Sequence, residues 1–449
     1  MARLVRRTVA GTVAAALVAG LLVLAAPSAL AATASSLTVS TSIGPQVGSQ
    51  FHALWSDYTN AQRVAVLDRL AAAGVKWVRI DMGWSSVQEV SRDQYSQWYI
   101  DLADFVVDAA RARGINVLAT FWRTPAWANG GQSVVTPPSN VNDYAQAAYW
   151  VANHWRGRVA AWEVWNEPNL DGSWNGTVSQ YVNLLRAAYP MFKAGDPGAK
   201  VLIGGPSSND TNWLAAAYQA GAQGSFDVMA THPYQGMADA PPETPDDGNI
   251  WWITHTPPVK SLMTQYGDGA KEIWFTEFGW SSHDNWSGVP NWDRGVTEQQ
   301  QADYFVRTLQ LVKANYPYVT NVFWYKERNG VSGDVQLDNY GLLKRDLTAK
   351  PVLDTLAAYL TAPAPPPANG TLTGTVTRRS GTPISGVTVG WTGPVSGSTL
   401  TASNGTYSKS LPPGTYTVKA RKSGWRTVTA TVSVPEGTTL TKNFVLVRS

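Results

Sequence analysis

The hydrophobic positions of this chain follow two rhythms that meet near residue 365. Before it, short apolar runs alternate with longer segments whose apolar residues recur every three or four positions. The short runs read as strands and the longer spacing as amphipathic helix. Val64, Val66, Leu67 and Leu70 give one such helix over 60–73, and Gly74 ends it. Strands are expected over 49–55, 75–81, 115–121, 159–164, 200–203, 226–230, 272–275 and 319–323. The helices that follow them are expected over 60–73, 94–113, 143–155, 179–194, 213–222, 259–266, 298–314 and 351–360. Strict alternation implies parallel strands joined by crossovers, and eight such units fit an α/β chain folded as a (β/α)8 TIM barrel. An open doubly wound sheet competes, but its glycine-rich phosphate loop is missing. Past a proline-rich linker over 363–370 the period falls to two, with strands over 371–377, 405–409 and 414–419 between Gly and Pro turns. That pattern predicts a small antiparallel β-sandwich domain over 371–449.

The first residues do not belong to either rhythm. Arg3, Arg6 and Arg7 precede an apolar run over 9–24, and Ala29-Leu30-Ala31 is a small-residue cleavage motif. This is the layout of a secretory signal peptide over 1–31, so the product is expected to be secreted and extracellular, with the barrel domain over 32–362. The alternative is an uncleaved anchor, but no other apolar stretch is long enough to span a bilayer, and no stable membrane insertion is expected. The chain has no cysteine, which excludes thiol catalysis, disulfides and Cys-based metal sites. Its five histidines include no His-x-x-x-His pair. No metal and no cofactor is expected.

Charge changes the picture only when divided. The net charge is +3, yet the segment over 371–449 holds nine Lys or Arg against the single Glu436, about +8, and the signal segment adds +3, leaving the barrel near −8. No nucleic-acid partner is indicated. The basic C-terminal domain is a candidate contact for an anionic cell-wall or other polysaccharide. Lysines guarding exposed strand edges explain the same charge without a ligand.

The chemistry is expected at strand ends, where a TIM barrel keeps its active face. The run Ala161-Trp162-Glu163-Val164-Trp165-Asn166-Glu167-Pro168 delivers Glu167 to one strand end, and Glu272-Ile273-Trp274-Phe275-Thr276-Glu277 delivers Glu277 to another. Those strands count as four and seven, so the two carboxylates can meet across the mouth. Two carboxylates flanking a glycosidic bond are what acid/base-assisted glycoside hydrolysis needs. Glu167 fits the acid/base and Glu277 the nucleophile. Asn166 is placed to bond a sugar 2-hydroxyl, Arg79 and Tyr234 to orient Glu277, and Trp324 to form the floor beneath the reacting sugar. The 21 tryptophans exceed what a core needs, and Trp also gives sugar rings a flat face to stack on. The loop over 235–258 carries Asp246, Asp247, Trp251 and Trp252 and reads as a subsite wall or lid. Glu163 reads as a structural, paired carboxylate. Glu327 reads as a sugar contact or a partner of Lys326 or Arg328. His52 and His232 read as hydrogen-bonded wall residues or site groups.

Trp165-Asn166-Glu167-Pro168-Asn169 and Trp274-Phe275-Thr276-Glu277-Phe278-Gly279-Trp280 resemble the two signature strands of the large (β/α)8 glycoside hydrolase clan known as the 4/7 superfamily, or clan A. The resemblance covers residues 45 to 362 and implies a retaining glycosidase whose substrate is a polysaccharide or oligosaccharide, probed at β-linkages. It implies Glu167 as acid/base and Glu277 as nucleophile, with Asn166, Arg79, His232, Tyr234 and Trp324 in supporting or substrate-binding positions. Thr124-Pro125-Ala126-Trp127 and the Phe-Gly-Trp-Ser tail are similar to the family 39 group of β-xylosidases and exopolysaccharide glycosidases, with family 5 close by. Trp122 and Trp127 are then substrate-wall candidates. Where many relatives carry a histidine after strand three, this chain has Phe121-Trp122. The last module resembles carboxypeptidase regulatory-like domains. A transglycosylase with the same residues, and a non-catalytic carbohydrate-binding or adhesion protein, are the competing readings.

Overall fold

The structure is a computed structural model that describes residues 44–362 and 367–449. The signal-peptide segment over 1–31, and residues 363–366 of the linker, lie outside the described residues. No described helix is long and apolar enough to cross a membrane.

Eight strands build the first sheet: β1 (Gln46–Gln50), β2 (Trp77–Gly83), β3 (Asn116–Trp122), β4 (Ala161–Val164), β5 (Lys200–Ile203), β6 (Met229–Thr231), β7 (Ile273–Phe278) and β8 (Val319–Trp324). The main helices after them are α1 (Asn60–Ala72), α2 (Gln97–Arg111), α3 (Val141–His154), α4 (Val178–Gly195), α5 (Thr211–Gln219), α6 (Thr256–Gln265), α7 (Glu298–Asn315) and α8 (Pro351–Thr361). Neighbouring strands run in the order β5-β4-β3-β2-β1-β8-β7-β6, every pair parallel. A parallel bridge between Leu202 and Val228 joins the two ends, so the sheet closes on itself as a (β/α)8 TIM barrel. Capping boxes start α1 (Thr59 with Gln62), α4 (Thr177 with Gln180) and α7 (Thr297 with Gln300), which fixes where these crossovers turn back.

The first strand lies earlier than its hydrophobicity predicts. Phe51 donates the last ladder bond, to Arg79 O at 2.7 Å, and a turn follows, with Trp55 N donating to His52 O at 3.1 Å. Phe51, Ala53 and Leu54 are buried without being in the sheet. Inside the barrel, Trp77, Leu118, Ala161, Leu202, Val228, Ala230, Trp274 and Phe323 form an apolar plug. Strand residues alternate faces, so the inward residue two places on stands one layer nearer the carboxyl ends. That step carries Trp77 to Arg79, Leu118 to Thr120 and Ala161 to Glu163. The barrel is thus dry below and polar above.

The second region is made of two sheets, β11-β10-β13-β14 and β12-β9-β15, with β16 also on β9. Its strands are β9 (Gly370–Arg378), β10 (Thr388–Thr392), β11 (Gly397–Leu400), β12 (Thr406–Leu411), β13 (Gly414–Arg421), β14 (Val428–Val434), β15 (Thr439–Thr441) and β16 (Phe444–Leu446). The first sheet is antiparallel throughout, whereas β15 and β16 run parallel to β9. Alternate residues such as Leu372, Val376, Tyr416 and Val418 fill the space between the sheets.

Candidate active site

Arg79, at the inward position of β2, organises the mouth of the barrel. Its Nε donates to Glu163 Oε2 at 2.7 Å, its Nη1 to Glu277 Oε1 at 2.6 Å and to Gln50 Oε1 at 2.8 Å, and its Nη2 to Asn166 Oδ1 at 2.6 Å. A buried guanidinium is tolerable only with such a complete set of acceptors. Glu163 completes its own set with Thr120 Oγ1 at 2.7 Å, Thr276 Oγ1 at 2.8 Å and Gly205 N at 3.2 Å. Burial works against the Glu163 anion, but Arg79, His232 and the two threonine hydroxyls outweigh it and lower its pKa. The structural, paired reading of Glu163 fits this geometry. A side chain at Gly205 would meet His232 Nε2 and Thr276 Oγ1 within 2.8 Å, so the network leaves room only for glycine there.

Two local distortions bring the candidate pair above this floor. After β4 the backbone adopts positive φ at two non-glycine residues, Trp165 (78°) and Glu167 (44°). Such angles cost of order 1–3 kcal/mol each and recur where a side chain must be aimed. They are held by burial of the Trp165 ring, whose Nε1 donates to Ser173 O at 2.8 Å, and by Glu167 N donating to Gly205 O at 3.1 Å. In β7 the pairing with β8 slips between Phe275 and Phe278. A bulge of this kind lets consecutive residues, Thr276 and Glu277, both serve the barrel interior.

Glu167 and Glu277 therefore face one another. Each offers an oxygen, and His232 a nitrogen, such that all three atoms lie within 4.8 Å of one another. His232 Nδ1 is 3.0 Å from Glu167 Oε1 and 3.8 Å from Glu277 Oε2. Glu277 receives a second donor, Tyr234 Oη at 3.0 Å from Oε2. Burial pushes the Glu277 carboxyl up, against His232 and Arg79, while Glu167 adds to the rise. Burial opposes a charge on His232, but Glu277 and Glu167 hold its proton on, so its pKa is raised. The two rises compete, because a protonated His232 calls for carboxylate anions beside it. With Arg79 and Tyr234 each donating to a different oxygen, Glu277 is the better placed to stay ionised. Two carboxylates and an imidazole are also a possible metal-ligand set, though Arg79 already supplies Glu277 with a cation.

A cleft of about 640 Å³ opens above the pair, lined by Glu167, Glu277, Asn166, Tyr234, Asp81 and Trp122 among others. The expected loop wall is present: Trp251, from the loop after β6, lines the cleft, while Trp252 turns away and donates to Asp247 Oδ1 at 2.8 Å. Trp292, 70% exposed, reaches the same cleft from the loop after β7.

Several expectations for individual residues are corrected. Trp324 is not the floor. It is fully buried on the outer side of β8, stacked on Phe305 of α7 at 4.5 Å, with Nε1 donating to Tyr340 O at 2.8 Å. Since Phe323 points into the barrel, the alternation sends Trp324 outward and returns Tyr325 to the cleft. Trp127 is not among the residues lining the cleft; it packs edge-on against Trp84 and donates to Gln88 O at 2.7 Å. Arg79 and His232 are fully buried beneath the cleft, where they serve the carboxylates rather than a sugar. Glu327 pairs with neither Lys326 nor Arg328. It accepts from Tyr58 Oη at 2.6 Å and lies 3.2 Å from His52 Nδ1, while Arg328 bonds Asp57 at 2.9 Å. His52 does line the cleft, its ring tilted against Trp55 with centroids 4.0 Å apart. Cleft residues given no role from the sequence are Gln50, Tyr325, Tyr340 and Trp292, although Tyr325 falls in the strand-end cluster Trp324-Tyr325-Lys326-Glu327 expected at the active face. Gln50 had one signal: it sits opposite Arg79 in the β1–β2 register.

A closed parallel barrel whose fourth and seventh strands bring two glutamates together is the class of (β/α)8 glycoside hydrolases. The family model described as cellulase (glycosyl hydrolase family 5) matches residues 38–329, and the chain belongs to that family. A second family model, the carboxypeptidase regulatory-like domain, matches residues 371–447. Among curated proteins, the chain is 29% identical over 179 residues to a probable glucan 1,3-beta-glucosidase A of Aspergillus niger, covering 37% of this chain and 41% of that one. It is 28% identical over 177 residues to a beta-xylosidase of Geobacillus stearothermophilus, covering 35% of each. The matched stretches thus span well under half of either relative. Among solved structures, the fold is similar to a family 39 glycoside hydrolase from Bacteroides cellulosilyticus WH2, with TM-score 0.58, 21% identity, and 86% and 72% of the two chains covered. It is also similar to a GH5_18 protein from Streptomyces cattleya solved with GlcNAc, with TM-score 0.55, 20% identity, and 74% and 84% covered. The clan-level resemblance read from the two signature strands is therefore met by both a family 5 match and a family 39 fold.

Proposed function

We propose that this protein is a secreted, retaining glycosidase acting on β-linked sugars of an oligosaccharide or polysaccharide. One observation carries the reading: Glu167 and Glu277 face each other with oxygens within 4.8 Å, and Glu277 alone is held by both Arg79 and Tyr234. Retaining enzymes keep their carboxyl groups about 5–5.5 Å apart, whereas inverting ones need about 6.5–9.5 Å to admit a water. Glu277 attacks the anomeric carbon as the glycosidic bond breaks, and Glu167 gives its proton to the departing oxygen. A covalent glycosyl ester on Glu277 results. Glu167, now a base, takes a proton from water, whose oxygen attacks the anomeric carbon and releases Glu277. Asn166, with its Oδ1 committed to Arg79, presents its amide nitrogen to the sugar. Tyr325, Trp122 and Trp251 supply flat walls. The names of both curated relatives specify beta-linked substrates, which supports the linkage, and the amino-terminal pattern over 1–31 supports export. The basic C-terminal domain then serves as a contact for an anionic polymer of the cell wall.

The test is Glu277→Gln assayed on a panel of aryl β-glycosides and cell-wall polysaccharides that the native protein cleaves. Turnover is expected to fall about 10⁴-fold or more while oligosaccharide binding persists. Hydrolysis at the native rate would refute the assignment.

A further inference from the structure

Beside the reaction cleft lies a second cavity of about 290 Å³, and His52, Trp55, Tyr325 and Leu337 line both. Its other wall is charged, with Lys326, Arg328 and Arg345 facing Asp57, Glu327 and Asp338. The acidic groups are already engaged. Asp57 is shared by Arg328 at 2.9 Å and Arg345 at 2.8 Å, two guanidiniums on one carboxylate. Glu327 accepts from Tyr58 and contacts His52. Asp338 accepts from Ser332 N, Ser332 Oγ and Gly333 N at 2.8–2.9 Å. Lys326 is left over: only 6% exposed, it has no ion pair within 4 Å among the described residues, and its Nζ stands 5.6 Å from the Tyr325 ring centre. Burial lowers its pKa, against the pull of Glu327 and Asp338. A nearly buried ammonium whose neighbouring carboxylates, Glu327 and Asp338, act on it without a direct ion pair is costly, and one lining a cavity that continues a sugar cleft is fitted to an anion arriving with the substrate.

We propose that this cavity receives an oxyanion carried by the glycan, the carboxylate of a uronic acid or a sulfate ester, with Lys326 as the recognising cation and Arg345 as a second donor. The inference rests on the glycosidase reading and narrows its substrate class to acidic glycans. A neutral sugar hydroxyl could bond Lys326 but would leave it without a direct ion pair. Tyr325, which walls both cavities and lies 6.4 Å ring to ring from Tyr234, ties the acidic group to a unit beside the cleavage point.

Matched substrate pools test this: glucuronate-bearing β-linked oligosaccharides against the same pool after carboxyl reduction, and sulfated oligosaccharides against their desulfated form. The native protein should favour one acidic pool over its neutral counterpart by about tenfold or more in kcat/KM, the scale of one charged hydrogen bond. Which pool is favoured tells carboxylate from sulfate. Lys326→Met should bring that ratio to about one, Lys326→Arg should keep part of it, and Arg345→Ala, a change at a half-buried side chain, should lower it. Tryptophan fluorescence titration with the same pools reads binding separately. Binding that prefers the acidic pool without any hydrolysis would sink the glycosidase reading and keep the cavity's role. Hydrolysis with no preference between the members of either pair, or a preference unchanged in Lys326→Met and Arg345→Ala, would overturn the inference and leave the glycosidase reading standing.

Discussion

The two cores of this chain differ in kind. Among the described residues of the β-sandwich, Thr401 is the only buried polar side chain, and everything else that packs between the sheets is apolar or aromatic. The barrel also has an apolar plug, but one layer above it the same strands bury Arg79, Glu163, His232 and Glu277. Burying charge works against stability unless every partner is in place. A fold can meet its stability needs with the first arrangement, so the second marks where the chain does chemistry. The sandwich, by contrast, offers only its basic outer surface.

The sharpest way to break this comparison is to remove the cation that the barrel layer depends on. Arg79→Leu leaves the buried Glu163 and Glu277 with His232 as the one nearby cation, and is expected to destabilise the barrel by about 3–5 kcal/mol and to abolish turnover. Denaturant unfolding followed by tryptophan fluorescence, alongside an aryl-glycoside assay, measures both. A barrel as stable as the native one would show that the network is ornamental. Leu372→Ala, in the centre of the sandwich, is expected to cost about 3 kcal/mol of that domain's stability through lost burial and a residual cavity. Calorimetry should detect it while kcat on a small aryl glycoside stays the same. Loss of activity there would place chemistry in the second core after all.

The smallest expected effect lies in the pH profile. Glu277 must be ionised to attack, and burial raises its pKa. As pH falls, kcat/KM should therefore decline through a value above the ordinary glutamate range of about 4.3. Glu167 contributes to that rise, so Glu167→Gln should move the acidic limb to lower pH, measured on a substrate whose leaving group needs no protonation. A limb that stays in place, or moves up, would mean that the two carboxylates do not sense each other.

The barrel and its chemistry were legible where two periodicities agreed. The alternation of runs and helical segments located seven of the eight strands and set the first several residues late, and isolated polar residues at their ends marked Arg79, Glu163, Glu167 and Glu277. Parity was harder. The end of β8, Val322-Phe323-Trp324, is an unbroken apolar run, as a strand covered on both faces should be, so nothing in it says which side Trp324 takes. Tyr325, one residue further on and in the same strand-end cluster, was given no role for the same reason. At β1 the apolar residues Phe51, Ala53 and Leu54 resemble a strand but are buried in a turn, which hid Gln50 at the strand's true end. Trp127 and Trp292 show the limit of composition: one exposes little and packs on Trp84, the other stands free at the cleft, and only tertiary placement separates them. The pairing of Glu327 with His52 and Tyr58 joins residues about 270 positions apart, beyond any local pattern.

The account stands or falls on which face of the anomeric carbon each oxygen uses. Proton NMR of the first sugar released from an aryl β-glycoside, recorded before mutarotation, reads this directly. Two glutamates this close predict the β-anomer as first product. An α-anomer would mean that water attacks in a single step, and would contradict Glu277 as the nucleophile.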